Sequence, residues 1–315
     1  MKIGKFVAIA TALLLASAPV HSLGASEAEG AAAAGEKVDI ITPHITDGDH
    51  MEVPWILPPF FKEIHLPKYE ALQFHVGGLE VDLSPTKHVY FLLIGATLLI
   101  LVMTLAARSQ VRAAQAGQAP KGAPNAIEAM ILYIRNEVIL PNVGHHGEGF
   151  VPYLLTVFFF ILTLNLLGLV PYGSTATGNI SVTATLAFIT FITVEIAGVR
   201  ANGWGYLSTI FYWNNDLPVV MRPLMFLIIS PVELLGKFTK PFALAIRLFA
   251  NMTAGHIVLL AMMGLFFSFG LPIGVAPLGM AVAIMFLELF VALLQAFVFT
   301  LLSAVFIGLI REAHH

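Results

Sequence analysis

The stretch that decides the fold is residues 241–310, PFALAIRLFANMTAGHIVLLAMMGLFFSFGLPIGVAPLGMAVAIMFLELFVALLQAFVFTLLSAVFIGLI. Across its seventy residues only Arg247, His256 and Glu288 are ionisable. A helix apolar on every side belongs in a membrane or a large core rather than against water. Gly270-Leu271-Pro272 through Pro277 interrupts the apolar pattern and predicts a turn between two long elements. The second, Pro277–Ile310, is 34 residues. At about 1.5 Å per residue it would run about 51 Å, too long to stand upright in about 30 Å of hydrocarbon. Such a helix tilts steeply or lies along a protein surface within the membrane.

The rest of the chain agrees. Of 315 residues, 58% are hydrophobic, 11% are Asp, Glu, Lys or Arg, and the mean hydropathy is +0.86. Soluble domains carry about 25% charge, so this composition describes a multi-pass membrane protein. His88–Ala107, Val151–Val170 and Ile180–Val199 are each long enough to cross the bilayer, and Pro218–Phe269 and Pro277–Ile310 complete five membrane elements. The fold class is therefore an all-α membrane protein ending in a long tilted hairpin. Asn125–Leu140 adds an amphipathic helix, with Ile127, Met130, Ile131, Ile134 and Val138 on one face.

The absence of cysteine removes disulfides, zinc–thiolate sites and thiol nucleophiles. No basic patch points to nucleic acid. No HExxH, GxSxG or GxxxxGK[ST] string is present, so no metalloprotease, serine hydrolase or nucleotide site is expected. Lys2, Lys5 and the apolar Phe6–Ala16 read as a secretory signal over residues 1–25, with an uncleaved anchor as the alternative. Residues 26–87 hold eleven acids and four lysines and read as an irregular exported extension, with a short hairpin around Phe74–Leu83. Its His44, His50, His65 and His75 lack metal-ligand spacing and read as scattered surface histidines.

Basic residues set the orientation. The connection 108–150 has Arg108, Arg112, Lys121 and Arg135, and 200–240 has Arg200, Arg222, Lys237 and Lys240, whereas 171–179 and 270–276 have none. Five crossings from an exported N-terminus put both basic connections and Arg311 in the cytoplasm.

Arg247 lies well inside an apolar run, where an arginine costs a few kcal/mol. Snorkelling would explain a terminal arginine, but Arg247 comes about thirty residues after Pro218. Its guanidinium stays charged, so it suits a fixed cation facing a carboxylate that must sometimes ionise. Folding about Pro272 places His256 sixteen residues before the turn and Glu288 sixteen after it, while Arg247 is 25 before and Gln295 is 23 after. Two polar pairs thus fall at matching depth. His256 and Glu288 are both titratable, either as a proton relay at the end of a water-filled half-pore or as a structural ion pair. A stand-alone channel or secondary transporter is the rival class. Inverted repeats would mark the transporter, and only one charged hairpin is found.

These residues resemble subunit a of the F-type ATP synthase. The resemblance is carried by Lys240-Pro-Phe-Ala-Leu-Ala-Ile-Arg-Leu-Phe-Ala-Asn-Met-Thr-Ala-Gly-His256 and by Leu294-Gln-Ala-Phe-Val-Phe-Thr300, and it covers about residues 85–311. It implies a non-enzymatic subunit of a bacterial inner-membrane complex, with no cofactor or metal of its own. The implied partners are a ring of c subunits, b-type peripheral stalk subunits and the rest of the synthase. By the same resemblance, Arg247 faces the ring carboxylate and separates two half-channels. His256 and Glu288 match the pair lining the exported-side half-channel, in the order of mitochondrial relatives rather than the reverse order of some bacterial ones. Asn251 and Gln295 match polar positions near the arginine, Glu233 an acid of the cytoplasmic half-channel, and Asn165 and Asn179 positions towards the exported side. Glu195, near the cytoplasmic end of its span, reads equally as a snorkelling acid.

Overall fold

A computed structural model describes residues 46–48, 50–54, 61–66, 73–76, 79–82, 85–144, 147–170, 175–206 and 221–312. The signal segment 1–25 and His44 lie outside the described residues. Before the first helix come two antiparallel hairpins, β1 (His50–Pro54) with β2 (Phe61–His65) and β3 (Gln73–Val76) with β4 (Leu79–Asp82). The second occupies the stretch where a short hairpin is expected around Phe74–Leu83, with Phe74 opposite Val81.

Five helices are long and apolar enough to cross a membrane, the last two of them the legs of one assigned helix. The first, α1 (Lys87–Gln115), runs eight residues past its expected end at Ala107. Gly117, at φ 64°, adopts the left-handed conformation that ends the helical path cheaply. Leu93, Ile94, Leu98, Ile100, Leu101 and Leu105 remain exposed along α1, as lipid contact requires. Next, α2 (Ala123–Tyr133) continues through a π-helical segment, Ile134–Ile139, and a final turn, Leu140–Val143. Helix α3 (Val151–Gly168) and helix α4 (Ile180–Asn202) follow. Their threonines satisfy themselves within the apolar helix: Thr163 and Thr193 donate to the carbonyls of Phe159 and Ile189, four residues back.

The last element, α5, is assigned as helix without a break from Met221 to Glu312. A straight helix would place His256 and Glu288 about 48 Å apart, yet their side chains lie 3.8 Å apart. The helix therefore reverses, and Gly274 packs against the backbone of Phe266 at the fold. The reversal falls between the two legs, Met225–Phe266 and Ile273–Arg311, where Gly270-Leu271-Pro272 through Pro277 predicts a turn. A proline removes its own N–H from the ladder and clashes with the carbonyl four residues back, so Pro272 and Pro277 suit the stretch where the chain reverses.

The chain divides into two compact units. One gathers the described residues up to Gly95 with Leu164–Thr185 and Phe249–Ala292. Its buried residues include Leu164 and Met252 beside the small or polar Asn165, Ala176, Thr177, Thr183 and Ala292. The other comprises Ala96–Thr163, Leu186–Leu248 and the chain from Leu293. Its core is larger and apolar, with Ile139, Leu154, Phe158, Ile161, Leu248, Phe299 and Ile307 buried. Here Arg311 donates to the carbonyl of Val143 at 3.0 Å, and Asn202 to that of Ile310 at 2.9 Å.

Candidate functional site

The polar residues of the first unit form one connected cluster. His256 Nε2 lies 2.9 Å from the carbonyl of Gly168 and 2.6 Å from the hydroxyl of Thr175. A carbonyl only accepts, so Nε2 carries a hydrogen. In neutral imidazole that leaves the lone pair on Nδ1, the atom 3.8 Å from Glu288 Oε1. The gap is too long for a hydrogen bond and short enough for a small side-chain rotation to close. Glu288 is buried, and among the described residues its Oε1 accepts no hydrogen bond. The tautomer fixed by Gly168 thus presents a proton acceptor to a buried carboxyl group, the geometry a proton exchange needs.

Gly255 makes room for this pair. A Cβ built there would overlap Glu288 Oε1 and lie 3.1 Å from the carboxyl carbon. Alanine favours the helix itself by about 1 kcal/mol, so the cost of Gly255→Ala falls on the position of Glu288. Misplacement by about 1 Å costs roughly 100-fold in a positioned reaction. We expect Gly255→Ala to leave the protein assembled and to lower proton transport by one to two orders of magnitude, measured as ATP-driven acidification of inverted vesicles.

Asn165, fully buried, accepts from Thr177 at 2.8 Å and donates to the carbonyl of Ala292 at 3.3 Å. It ties the end of α3 to the second leg of α5. Asn179 precedes α4 and caps it, accepting the backbone N–H of Ser181 at 2.8 Å. Its amide donates to Asp47 at 3.0 Å. Asn251, one turn after Arg247, is exposed.

In the second unit Arg247 is exposed, as are Ala243 and Ile246 on the same helix. Among the described residues no carboxylate pairs with it. Gln295 matches its depth but is buried, and no hydrogen bond joins them. Equal distance from the fold fixes depth and leaves the rotational facing of each helix undetermined.

A cavity of about 150 Å³ in this unit is lined by Glu195, Glu233, Lys237 and Lys240 among apolar groups including Leu244 and Phe306. Lys237 is buried, donates to the Tyr206 hydroxyl at 2.5 Å and lies 3.6 Å from Glu195. The Tyr206 hydroxyl in turn donates to Glu195. Burial, followed by the neighbouring Glu195 carboxylate, pushes the Tyr206 phenol up, which keeps it a donor. Tyr206 and Lys237 are absent from the sequence-derived site. The available signal was Glu195 and Lys237, opposite charges each set at one end of an apolar run. Glu233 is exposed at the cavity rim.

Taken together, the spans and their few buried ionisable groups define a polytopic membrane protein built to handle charge within the bilayer. The family described as ATP synthase A chain matches residues 89–308. ATP synthase subunit a of Chloroherpeton thalassium is 47% identical over 277 residues, covering 87% of this chain and 77% of that protein. ATP synthase subunit a 2 of Chlorobaculum tepidum is 46% identical, with 93% and 79% covered. The subunit a of an Anaeromyxobacter species is 42% identical, with 88% and 71% covered. The chain belongs to the ATP synthase subunit a family, and is thereby a membrane subunit of a proton-translocating complex.

Proposed function

We propose that this chain forms two proton half-channels beside a ring of c subunits and turns that ring by protonating and deprotonating its carboxylates. The observation that carries the reading is Arg247: a permanent cation, exposed within an apolar helix, with no carboxylate of its own chain among the described residues to pair with. An arginine in the membrane without a counter-charge is costly, and a carboxylate on another chain would supply the one that the described residues do not. Ala243 and Ala250 are small and exposed beside it, and small residues let a partner helix come close.

In this reading His256 and Glu288 deliver protons from the exported side, with Asn165 and Asn179 shaping that path. A ring carboxylate that receives a proton loses its charge and moves into lipid. After nearly a full turn it releases the proton towards Glu233 and the cytoplasm. Arg247 holds the ionised carboxylate and blocks a direct leak, with Asn251 and Gln295 nearby. Each proton supplies about 2.3 kcal/mol per 100 mV, so several are needed for each ATP formed elsewhere in the complex. The basic connections support a cytoplasmic C-terminus, with the acidic segment 26–87 outside an inner membrane. The amphipathic α2 lies along the cytoplasmic surface, and b-type stalk subunits hold the chain against rotation.

The native chain has no cysteine, which makes a direct test available. Ala250→Cys, combined with a cysteine placed beside the carboxylate of the ring proteolipid, is expected to give an oxidatively induced cross-link between the two chains in native membranes. A cysteine on the opposite face, at Leu248, should give none. Absence of the Ala250→Cys product, with both proteins present in the purified complex, would overturn the assignment of this face to the ring.

A further inference from the structure

The segment before α1 reaches the same cluster as His256. Asp47 binds two helix starts at once: its Oδ1 lies 2.7 Å from His88 Nδ1 on α1, and its Oδ2 accepts from Asn179 at 3.0 Å, before α4. Gly48 strengthens the junction, its N–H donating to Asp47 and its carbonyl accepting from Lys87. Burial alone pushes the Asp47 carboxyl up, but His88, through its hydrogen bond and charge, and the backbone N–H of Gly48 hold it below the usual carboxylate range. The side chain of His88 is 4% exposed and that of Asp47 is 15%, so water reaches the carboxylate and hardly the ring.

The same short stretch that holds Asp47 also holds the buried pair. Thr175 binds His256, the carbonyl of Gly178 accepts from Thr253 at 3.4 Å, and Asn179 binds Asp47. Five consecutive residues thus connect a water-touched Asp–His pair to a buried His–Glu pair within one compact unit. A clamp alone would not require an ionisable ring: an amide in place of His88 would hold Asp47 as well.

We propose that Asp47 and His88 form the proton-loading pair at the exported mouth of the path that ends on His256 and Glu288. The acidic segment before α1 then contributes a working residue to proton intake. Exported water protonates the Asp47 carboxylate, which shares the proton with His88 Nδ1 across the 2.7 Å contact. The proton then passes inward to the His256–Glu288 pair, returning Asp47 to its ionised form. Among the described residues the charged or titratable group that acts on Asp47 is His88; Lys87 adjoins it on α1, and His256 and Glu288 belong to the same compact unit. Asn179 is a positioning residue that fixes the second oxygen of Asp47.

This inference rests on the proton-path reading above. The test uses the complete synthase reconstituted in liposomes, with ATP synthesis driven by an acid–base jump at varied lumenal pH. Asp47→Asn and His88→Gln are each expected to slow synthesis by about tenfold at neutral lumenal pH and to recover as the lumen is acidified. Asp47→Glu, which keeps the charge, should stay near the wild-type profile. Wild-type rates and an unshifted lumenal pH dependence in both variants would overturn the proposal. A loss that is equal at every lumenal pH would overturn it too, leaving a clamp. Should Asp47→Asn fail to assemble, His88→Gln and Asp47→Glu decide by the same profile. Glu288→Gln serves as the control for the underlying reading: full synthesis in that variant would sink the proton path itself. A dead Glu288→Gln beside a normal Asp47→Asn would sink only this inference.

Discussion

Arg247→Ala should abolish coupled proton transport while the complex still assembles. Inverted membrane vesicles carrying this variant are expected to show ATP-driven acidification and ATP synthesis reduced by at least about 100-fold, the scale of losing a preorganised charge from a low-dielectric site. The argument starts from exposure. Arg247 is exposed, so its removal opens no buried cavity and breaks no hydrogen bond or ion pair among the described residues. Stability is therefore largely spared, and the loss falls on whatever the guanidinium faces outside. Arg247→Lys should rescue poorly. An ammonium keeps the charge but is a strongly hydrated point donor without the planar fork that matches a carboxylate. Subunit composition by gel and vesicle acidification by dye quench check the two halves of the expectation. Near-normal pumping in assembled Arg247→Ala would remove this residue from the mechanism.

The spans and the hairpin were legible because apolar length and the scarcity of charge are one-dimensional properties. The adjacency of His256 and Glu288 was legible for the same reason, since equal counts from Pro272 fix equal depth. Depth says nothing of rotation about the helix axis, which is why Arg247 and Gln295 share a level while one is exposed and the other buried. Two polar clusters escaped the sequence altogether. Glu195 meets Tyr206 eleven residues on, in the 3₁₀ turn Gly203–Tyr206 beyond α4, and Lys237 from another helix. Asp47 meets His88 forty-one residues away, from a segment without periodicity. Contacts made by irregular backbone leave no repeat to read.

The second large effect concerns the buried pair, and the test is an exchange rather than a deletion. His256→Glu alone sets two carboxyl groups against each other, one of which must stay protonated. Glu288→His alone leaves two imidazoles and no acid. Each single change is expected to lower ATP-driven proton transport by about 100-fold, the typical worth of a positioned acid–base group. The double exchange, His256→Glu with Glu288→His, restores one acid and one imidazole at the same depth, and should recover at least about tenfold over either single variant, a coupling of about 1.4 kcal/mol. Full recovery is not expected, for a reason visible at the site. The carbonyl of Gly168 accepts from His256 Nε2 at 2.9 Å and would face a carboxylate unfavourably, forcing it to take a proton or turn towards Thr175. At position 288 the imidazole must also fit against Gly255, where even a Cβ meets the native carboxyl group. A double variant no better than the singles would mean that His256 and Glu288 act separately. Recovery confined to low lumenal pH would mean that the displaced carboxyl group must be protonated to work beside Gly168, which ties the efficiency of the pair to that one backbone acceptor.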